Sequence, residues 1–233
     1  MTLRQPIRSE VARRPETRAL TYIAVEGAPG SGKTALAGSL ARELEGQLVL
    51  DRASENPFLD DFRRDPGRYA FKTQLFFTLS RWMQQETIAQ RDLFHPLVIS
   101  DYLFVKDRIH ASLTLDDREL ALYEKLVGLM VEGISRPDLV IYLQCSATTL
   151  GERLKGRGGG RDRRLSDEYL VAVVEAYNYY FLHFEESPLL ILQGHDIDAI
   201  LDARFVEELL DLLAEPHSGI RFWNPMVRSG ENG

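Results

Sequence analysis

Residues 26–34 read Glu-Gly-Ala-Pro-Gly-Ser-Gly-Lys-Thr. An apolar run at 20–25 precedes this stretch and a helical pattern begins directly after it, so it joins a predicted strand to a predicted helix. A glycine, four variable residues and then Gly-Lys-Thr form the phosphate-binding loop motif, which requires these flanking elements. Successive backbone N–H groups and a helix N-terminus make a concave site for anionic oxygens. The stretch therefore predicts that the chain binds the phosphates of a nucleoside triphosphate.

The residues of this loop are expected to hold ATP and Mg²⁺ in different ways. Its glycines permit backbone angles and a close approach that a side chain would block. Lys33 is expected to reach the β- and γ-phosphates, and the Thr34 hydroxyl is expected to ligate Mg²⁺. The predicted nucleotide-binding residues of the loop are Gly27, Ala28, Pro29, Gly30, Ser31, Gly32, Lys33 and Thr34.

Length and composition limit the classes of protein that the chain can belong to. It has 233 residues and a formal net charge of −7, which argues against a general nucleic-acid or membrane-surface role. The single cysteine, Cys145, excludes an internal disulfide framework and is typical of a reducing compartment, so we expect a cytoplasmic protein. No apolar stretch approaches the roughly 18 residues that a membrane span needs.

Short apolar runs alternate with longer helical patterns along the chain. Runs typical of parallel strands buried on both faces occur at 20–25, 47–51, 96–100, 138–143 and 188–192. Helical patterns occur at 33–45, 67–90, 116–134, 146–156, 166–186 and 198–214. This alternation predicts an α/β fold in which helices flank one five-stranded parallel sheet.

The folded domain is expected to occupy residues 20–215. Residues 1–19 contain five arginines and no apolar core of a signal peptide, so they are expected to form a flexible arm. Residues 216–233 are rich in glycine and proline and are expected to form an irregular tail. Its apolar residues could dock on the body or on a partner subunit; they are Ile220, Phe222 and Trp223.

Acidic residues follow two of the predicted strands. Asp51 ends the second strand, and Asp101 comes directly after the third. Ligands of an open α/β sheet bind beyond the carboxyl ends of its strands. One carboxylate could accept a proton from an attacking hydroxyl, and the other could hold Mg²⁺ or its waters. The alternative is that one of them only caps the next helix.

Two further features could serve an acceptor and a phosphoryl group. Gln74 lies among large apolar residues of a predicted helix, so its amide could read the edge of a base, although an exposed helical glutamine is common. The segment 155–164 contains one lysine, four arginines and four glycines. Such a segment could be a solvated surface, but it could also be a lid that closes over ATP and excludes water.

The chain resembles the deoxynucleoside kinase family, particularly its bacterial deoxyadenosine/deoxyguanosine kinase branch. The resemblance covers about 20–200. Besides the loop, its most specific segments are Asn-Pro-Phe-Leu at 56–59, Thr-Gln-Leu-Phe-Phe at 73–77 and Ser-Asp-Tyr-Leu-Phe at 100–104. The resemblance implies a P-loop kinase fold with an arginine-rich lid, and usually a homodimer. It further implies transfer of the ATP γ-phosphoryl group to the 5′-hydroxyl of a deoxynucleoside, a purine such as deoxyadenosine being favoured, for nucleotide salvage.

The resemblance also assigns roles to individual residues. Asp51 takes the position of the family's general base, which is usually Glu, and Gln74 takes that of its base-reading Gln. Asp101 keeps the acidic, metal-proximal role beside Thr34, whereas Tyr102 replaces the arginine that often follows. The lid arginines of the family fall within 157–164, where Arg157 is assigned to the nucleotide and Arg161 and Arg163, with Lys33, to catalysis.

Two substitutions depart from the family pattern on the acceptor side. Arg63 stands where relatives often have a sugar-binding Tyr, and His110 where they have a ring that stacks on the base. The residues expected to contact the nucleoside are therefore Asp51, Phe58, Arg63, Phe71, Gln74, Asp101 and His110.

Two other functions remain open at the level of sequence. A nucleoside monophosphate kinase of the thymidylate-kinase type would share the fold, loop and lid, and Arg63 could bind its acceptor phosphate. A regulatory NTPase switch or binding module belongs to another class. A GTPase should carry an Asn-Lys-x-Asp guanine motif, and the sequence contains none.

Overall fold

Parallel strands form the centre of the structure. The computed structural model describes residues 20–89, 96–156, 166–193, 202–215 and 217–225. Within these ranges six parallel strands form one sheet in the order β2-β3-β1-β4-β5-β6. The strands are β1 (Tyr22–Gly27), β2 (Gln47–Val49), β3 (Val98–Ser100), β4 (Leu139–Gln144), β5 (Leu189–Gln193) and β6 (Ile220–Trp223). The predicted parallel α/β sheet is confirmed, with one strand more than expected.

Helices lie on both faces of this sheet. The described helices are α1 (Lys33–Glu43), α2 (Leu59–Arg64), α3 (Pro66–Ala89), α4 (Lys106–Thr114), α5 (Asp117–Met130), α6 (Ala147–Gly156), α7 (Asp167–Leu182) and α8 (Ala203–Leu213). The sequence patterns did not predict α2 and α4. Both are short, and α4 begins with the buried polar pair Lys106 and Asp107, which breaks the expected apolar periodicity.

The side chains of β1 explain why its sequence is a continuous apolar run. Successive residues of a strand point to opposite faces of the sheet. Tyr22 and Ala24 join the core on the α3 and α7 side, together with Ile88, Tyr177 and Phe181. Ile23 and Val25 join the core on the α1 and α8 side, together with Leu36, Leu40, Phe205 and Leu209. Because both faces are covered, every residue of β1 is buried.

The sixth strand lies in the segment that was expected to be irregular. β6 pairs with β5 at the edge of the sheet, with Ile220 opposite Leu189. The Trp223 ring lies 5.2 Å from the Phe205 ring, centroid to centroid, so this part of the tail docks on the body. Ile220 and Phe222 are exposed, and the strand therefore lacks the continuous apolar pattern of a central strand. No described helix is both long enough and apolar enough to cross a bilayer.

Candidate active site

The loop between β1 and α1 has the geometry that its glycines predict. Gly30 and Gly32 have φ angles of +88° and +95°, which L side chains rarely adopt. A Cβ on Gly27 would lie 2.5 Å from Ser31 Oγ. The loop is closed by a hydrogen bond of 3.0 Å that Ser31 N donates to Ala28 O. The glycines are therefore required by backbone conformation and by close packing.

The first residue of α1 is the loop lysine. Burial, and after it the neighbouring Lys106 ammonium, lower the pKa of Lys33 to about 8, although the carboxylates of Glu26, Asp101 and Asp51 oppose this shift. At neutral pH the lysine is still mostly protonated, so it can neutralise phosphate charge.

Asp101 connects the beginning of α1 to the ends of two strands. Thr34 Oγ1 donates a hydrogen bond of 2.6 Å to Asp101 Oδ2. The backbone N–H of Asp51 donates one of 2.6 Å to Asp101 Oδ1. The residues predicted from three separate segments thus meet at one edge of the sheet. A hydroxyl and a carboxylate in contact are oxygen ligands of the kind that Mg²⁺ prefers, so this pair fits the predicted metal.

The Asp51 carboxylate is held by two cations. Its Oδ2 accepts hydrogen bonds from Arg81 Nη2 at 2.7 Å and from Lys106 Nζ at 3.1 Å. Burial raises the pKa of Asp51, but Lys106 and Arg81 outweigh it and hold that pKa well below its usual range. Because both cations bind Oδ2, Oδ1 is the oxygen that can accept a hydrogen bond from an incoming hydroxyl.

The sequence reasoning missed three charged residues at this site. Arg81 and Asp107 are 3% and 2% exposed and form an ion pair through Nη1 and Oδ1, and Lys106 precedes Asp107 on α4. One signal could have found Arg81. Polar residues recur along the buried face of α3 at helical spacing; they are Gln74, Thr78, Arg81 and Gln85. Polar groups on a buried face need partners, and Arg81 finds one in Asp51 at the site, whereas Thr78 pairs with Tyr123 and Gln85 with Ser135.

Gln74 is buried, so the alternative of an exposed helical glutamine is wrong. Its side chain is 3% exposed. Its Nε2 donates a hydrogen bond of 3.2 Å to Thr114 Oγ1 at the end of α4. Its Oε1 is buried and has no hydrogen-bond partner among the described residues. The amide therefore has one acceptor left for a ligand.

His110 lies between two tyrosines of α7. Its Nδ1 is 3.3 Å from the Tyr169 hydroxyl, and its Nε2 is 3.3 Å from the Tyr177 hydroxyl. Loss of solvent lowers the pKa of His110 to about 3, helped by the nearby Lys106 and Arg81, so the ring is neutral. Tyr177 also donates to Glu26 Oε1 at 3.5 Å, and Glu26 accepts from the Gly27 N–H at 2.8 Å. This network links His110 to the phosphate-binding loop.

The other residues predicted to contact the nucleoside make separate local contacts. Phe71 packs in a small apolar cluster with Phe104 and Tyr123. The Phe58 N–H donates to Asn56 Oδ1 at 3.0 Å. Arg63 Nη1 lies 3.0 Å from Asp60 Oδ1, and its side chain is only 9% exposed. The predicted lid residues lie outside the described part of the chain; they are Arg157, Arg161 and Arg163.

Comparison with known proteins decides the family. The family model for deoxynucleoside kinase matches residues 23–215. The chain belongs to the deoxynucleoside kinase family. It is 28% identical over 193 residues to deoxyguanosine kinase of Bacillus subtilis, covering 81% of this chain and 93% of that enzyme. It is 34% identical over 163 residues to deoxyadenosine kinase of Dictyostelium discoideum, covering 69% of this chain and 66% of that enzyme.

The fold of this kinase also matches a solved structure. Deoxyadenosine kinase from M. mycoides with bound dATP aligns with a TM-score of 0.72 at 21% identity, over 83% of this chain and all of that chain. The predicted family, the P-loop kinase fold and ATP-dependent phosphorylation of a deoxynucleoside are therefore confirmed. The thymidylate-kinase alternative is correspondingly weaker, and the roles of individual residues remain proposals.

Proposed function

We propose that this kinase transfers the γ-phosphoryl group of ATP to the 5′-hydroxyl of a purine deoxynucleoside, deoxyadenosine being favoured, with Asp51 as the general base. The observation that carries the proposal is the position of the Asp51 carboxylate. Its backbone N–H bonds to Asp101, and Asp101 in turn accepts a hydrogen bond from Thr34 of the phosphate-binding loop. A hydroxyl at Asp51 Oδ1 would face the phosphates that the loop binds.

In the proposed reaction the 5′-oxygen attacks the γ-phosphorus while its proton passes to Asp51. The bond to the bridging oxygen of ADP breaks, so one oxygen–phosphorus bond forms and one is lost. Such transfers depend mainly on positioning and on electrostatic stabilisation. Lys33 stabilises the charge on the phosphate oxygens. When bound, Mg²⁺ would neutralise phosphate charge, and Thr34 and Asp101 are the residues that would hold it.

Arg81 and Lys106 keep the proposed base ionised and in place. A carboxylate with two cations on one oxygen cannot turn away from the loop without losing both ion pairs. Because its pKa is low, Asp51 is a weak base. A weak base is sufficient if the proton leaves the 5′-hydroxyl only as the bond to phosphorus forms. The same low pKa reduces the driving force for proton removal, so Asp51 contributes by orienting the 5′-hydroxyl and by accepting its proton while the bond to phosphorus forms.

Other residues are proposed to bind the nucleoside. Gln74 would read the base, and Phe58, Phe71, Arg63 and His110 would surround the sugar and the ring. The neutral state of His110 supports a packing role in that group. Arg157 on the nucleotide and Arg161 and Arg163 on the transferring group remain predictions, because they lie outside the described residues.

We also propose a homodimer in the cytoplasm. Exposed apolar side chains recur on α3 and near the end of α5; they are Leu79, Trp82, Met83, Leu129 and Val131. Exposed apolar side chains grouped in this way are typical of protein interfaces. The proposal of a cytoplasmic location rests on the single cysteine.

The test is a panel of acceptors incubated with ATP and Mg²⁺, scored by the phosphorylated product. Deoxyadenosine, deoxyguanosine, deoxycytidine and thymidine are compared with adenosine and with the deoxynucleoside 5′-monophosphates. We expect monophosphate product from a purine deoxynucleoside and none from Lys33→Ala protein. Diphosphate product from monophosphate acceptors alone would contradict the proposal and favour a monophosphate kinase.

A further inference from the structure

The orientation of the Gln74 amide is set by a hydrogen-bond relay on α4. The Thr114 hydroxyl donates a hydrogen bond of 2.8 Å to the His110 carbonyl oxygen. A hydroxyl has one proton, so toward Gln74 this oxygen acts as an acceptor. The group of Gln74 that faces it at 3.2 Å is therefore the amino group. The carbonyl end, Oε1, is then turned away from Thr114, buried and without a partner in the described structure.

The same relay disfavours the reversed amide. If Oε1 faced Thr114, it would need the hydroxyl proton, and Thr114 would lose its hydrogen bond to His110. The reversed amide would also bury its amino group where the structure now has an acceptor. One residue outside the predicted site thus determines which hydrogen-bonding pattern Gln74 presents.

A second buried acceptor lies on the neighbouring cross-link between α3 and α4. Asp107 Oδ2 is buried and has no hydrogen-bond partner among the described residues. Gln74 and Arg81 are seven residues apart on α3, and Asp107 and Thr114 are seven residues apart on α4. The pairs Gln74–Thr114 and Arg81–Asp107 therefore form two cross-links between α3 and α4, separated by about 10 Å along the helix axes. The Gln74–Thr114 cross-link carries an unpartnered acceptor, whereas the Arg81–Asp107 cross-link carries both an unpartnered acceptor, Asp107 Oδ2, and an unpartnered donor, Arg81 Nε.

We propose that Thr114 makes this kinase select bases with an amino group, adenine and cytosine, against bases with an oxo group at the same position. The inference rests on the proposed function, because it concerns the nucleobase of the deoxynucleoside that this kinase is proposed to phosphorylate. An exocyclic amino group donates to Gln74 Oε1, and the remaining Nε2 proton donates to the adjacent unprotonated ring nitrogen. Hypoxanthine, guanine, thymine and uracil present the opposite order, an oxygen beside a ring N–H.

The test compares pairs of substrates that differ only at this edge of the base. Values of kcat/KM are measured for deoxyadenosine against deoxyinosine and for deoxycytidine against deoxyuridine. In the wild-type protein we expect the amino member of a pair to be favoured roughly 10²-fold or more, because a buried acceptor facing an oxo group is left unpaired. If the wild-type protein had a kcat/KM for deoxyinosine equal to or higher than that for deoxyadenosine, the inference would be overturned. Failure of all deoxynucleosides would instead refute the proposed function.

Two variants of Thr114 test whether it orients the Gln74 amide or only packs against it. Thr114→Val keeps the shape of the side chain but lacks the hydroxyl, and Thr114→Ser is the matched control that keeps it. We expect Thr114→Val to lower the deoxyadenosine-to-deoxyinosine ratio roughly tenfold or more, and Thr114→Ser to retain it. A purely structural role would lower kcat/KM for both substrates alike and leave the ratio unchanged. That result in a folded, active Thr114→Val protein would contradict the role assigned to Thr114.

Discussion

At the scale of single residues, Lys106 has a role at the site that the sequence did not predict. Its Nζ lies 3.1 Å from Asp51 Oδ2, and it also lowers the pKa of Lys33. In this structure the two cations on Asp51 are Arg81 of α3 and Lys106 at the beginning of α4.

Replacing Lys106 with Met should change the pH dependence of kcat/KM. Lys106 lowers the pKa of Asp51, so its removal raises that pKa toward the usual range of an aspartate and should move the acidic limb of the profile to higher pH. The pKa of Lys33 should rise as well, because a like charge is removed. Steady-state rates from pH 3.5 to 9.5 measure both effects.

The variant Lys125→Met is the matched control, since Lys125 is exposed on α5. It should leave the profile unchanged, and Lys106→Arg should restore the acidic limb. An unchanged acidic limb in an active Lys106→Met protein would show that Lys106 does not act on the base.

At the scale of elements, the loop and α1 use glycine for two different reasons. Gly32 has a φ angle of +95° and precedes the first helical residue. Gly38 lies inside α1, and a Cβ there would meet nothing within 4 Å. The same substitution should therefore have opposite effects at the two positions.

Gly32→Ala should lower the free energy of unfolding by about 1–2 kcal/mol and weaken ATP binding, because alanine is strained at this φ. Gly38→Ala should raise the free energy of unfolding by about 0.5–1 kcal/mol through helix propensity, with ATP affinity unchanged. Urea unfolding and nucleotide titration measure the two quantities. Normal ATP affinity in Gly32→Ala would contradict the backbone account of the loop.

The elements also show how far sequence alone can go. The five apolar runs became β1 to β5, and the loop motif and the strand-end rule located Lys33, Thr34, Asp51 and Asp101. These inferences depend on local pattern and on the geometry of parallel sheets. Helical spacing could have located Arg81 on the buried face of α3, but its ion pair with Asp107 could not be predicted in this way, because the partner is distant in sequence. β6 was missed because its edge position exposes half of its side chains.

At the scale of the whole molecule, His110 makes the fold sensitive to acid. Its pKa is about 3 in the folded state and about 6.5 when unfolded. Between these values the unfolded chain binds more protons, so stability falls as the pH falls. From pH 7.5 to pH 5 the free energy of unfolding should decrease by about 2 kcal/mol through His110.

The variant His110→Phe should lose most of this pH-dependent decrease, whatever its stability at pH 7.5. His183→Gln is the control, since His183 is exposed. Urea unfolding at the two pH values measures the difference. If His110→Phe retained the same decrease as the wild-type protein, another group would be responsible.

The proposed homodimer is also a property of the whole molecule. Met83 and Leu129 are 67% and 82% exposed in the single chain. Light scattering should give twice the chain mass of 26.5 kDa. Met83→Glu should give the monomer mass, because a charge would be buried in the interface, whereas Tyr179→Glu on α7 should remain dimeric. A wild-type monomer at all concentrations would refute the dimer.

The most direct test of the account is the rate of deoxynucleoside monophosphate formation by Asp51→Asn protein, measured beside Asp51→Glu. Asparagine keeps the size of the side chain but cannot accept the proton, whereas glutamate keeps the carboxylate. The account predicts that Asp51→Asn lowers kcat by roughly 10² or more while ATP still binds, and that Asp51→Glu retains much of the activity. Turnover by Asp51→Asn within a few-fold of the wild-type rate would contradict it.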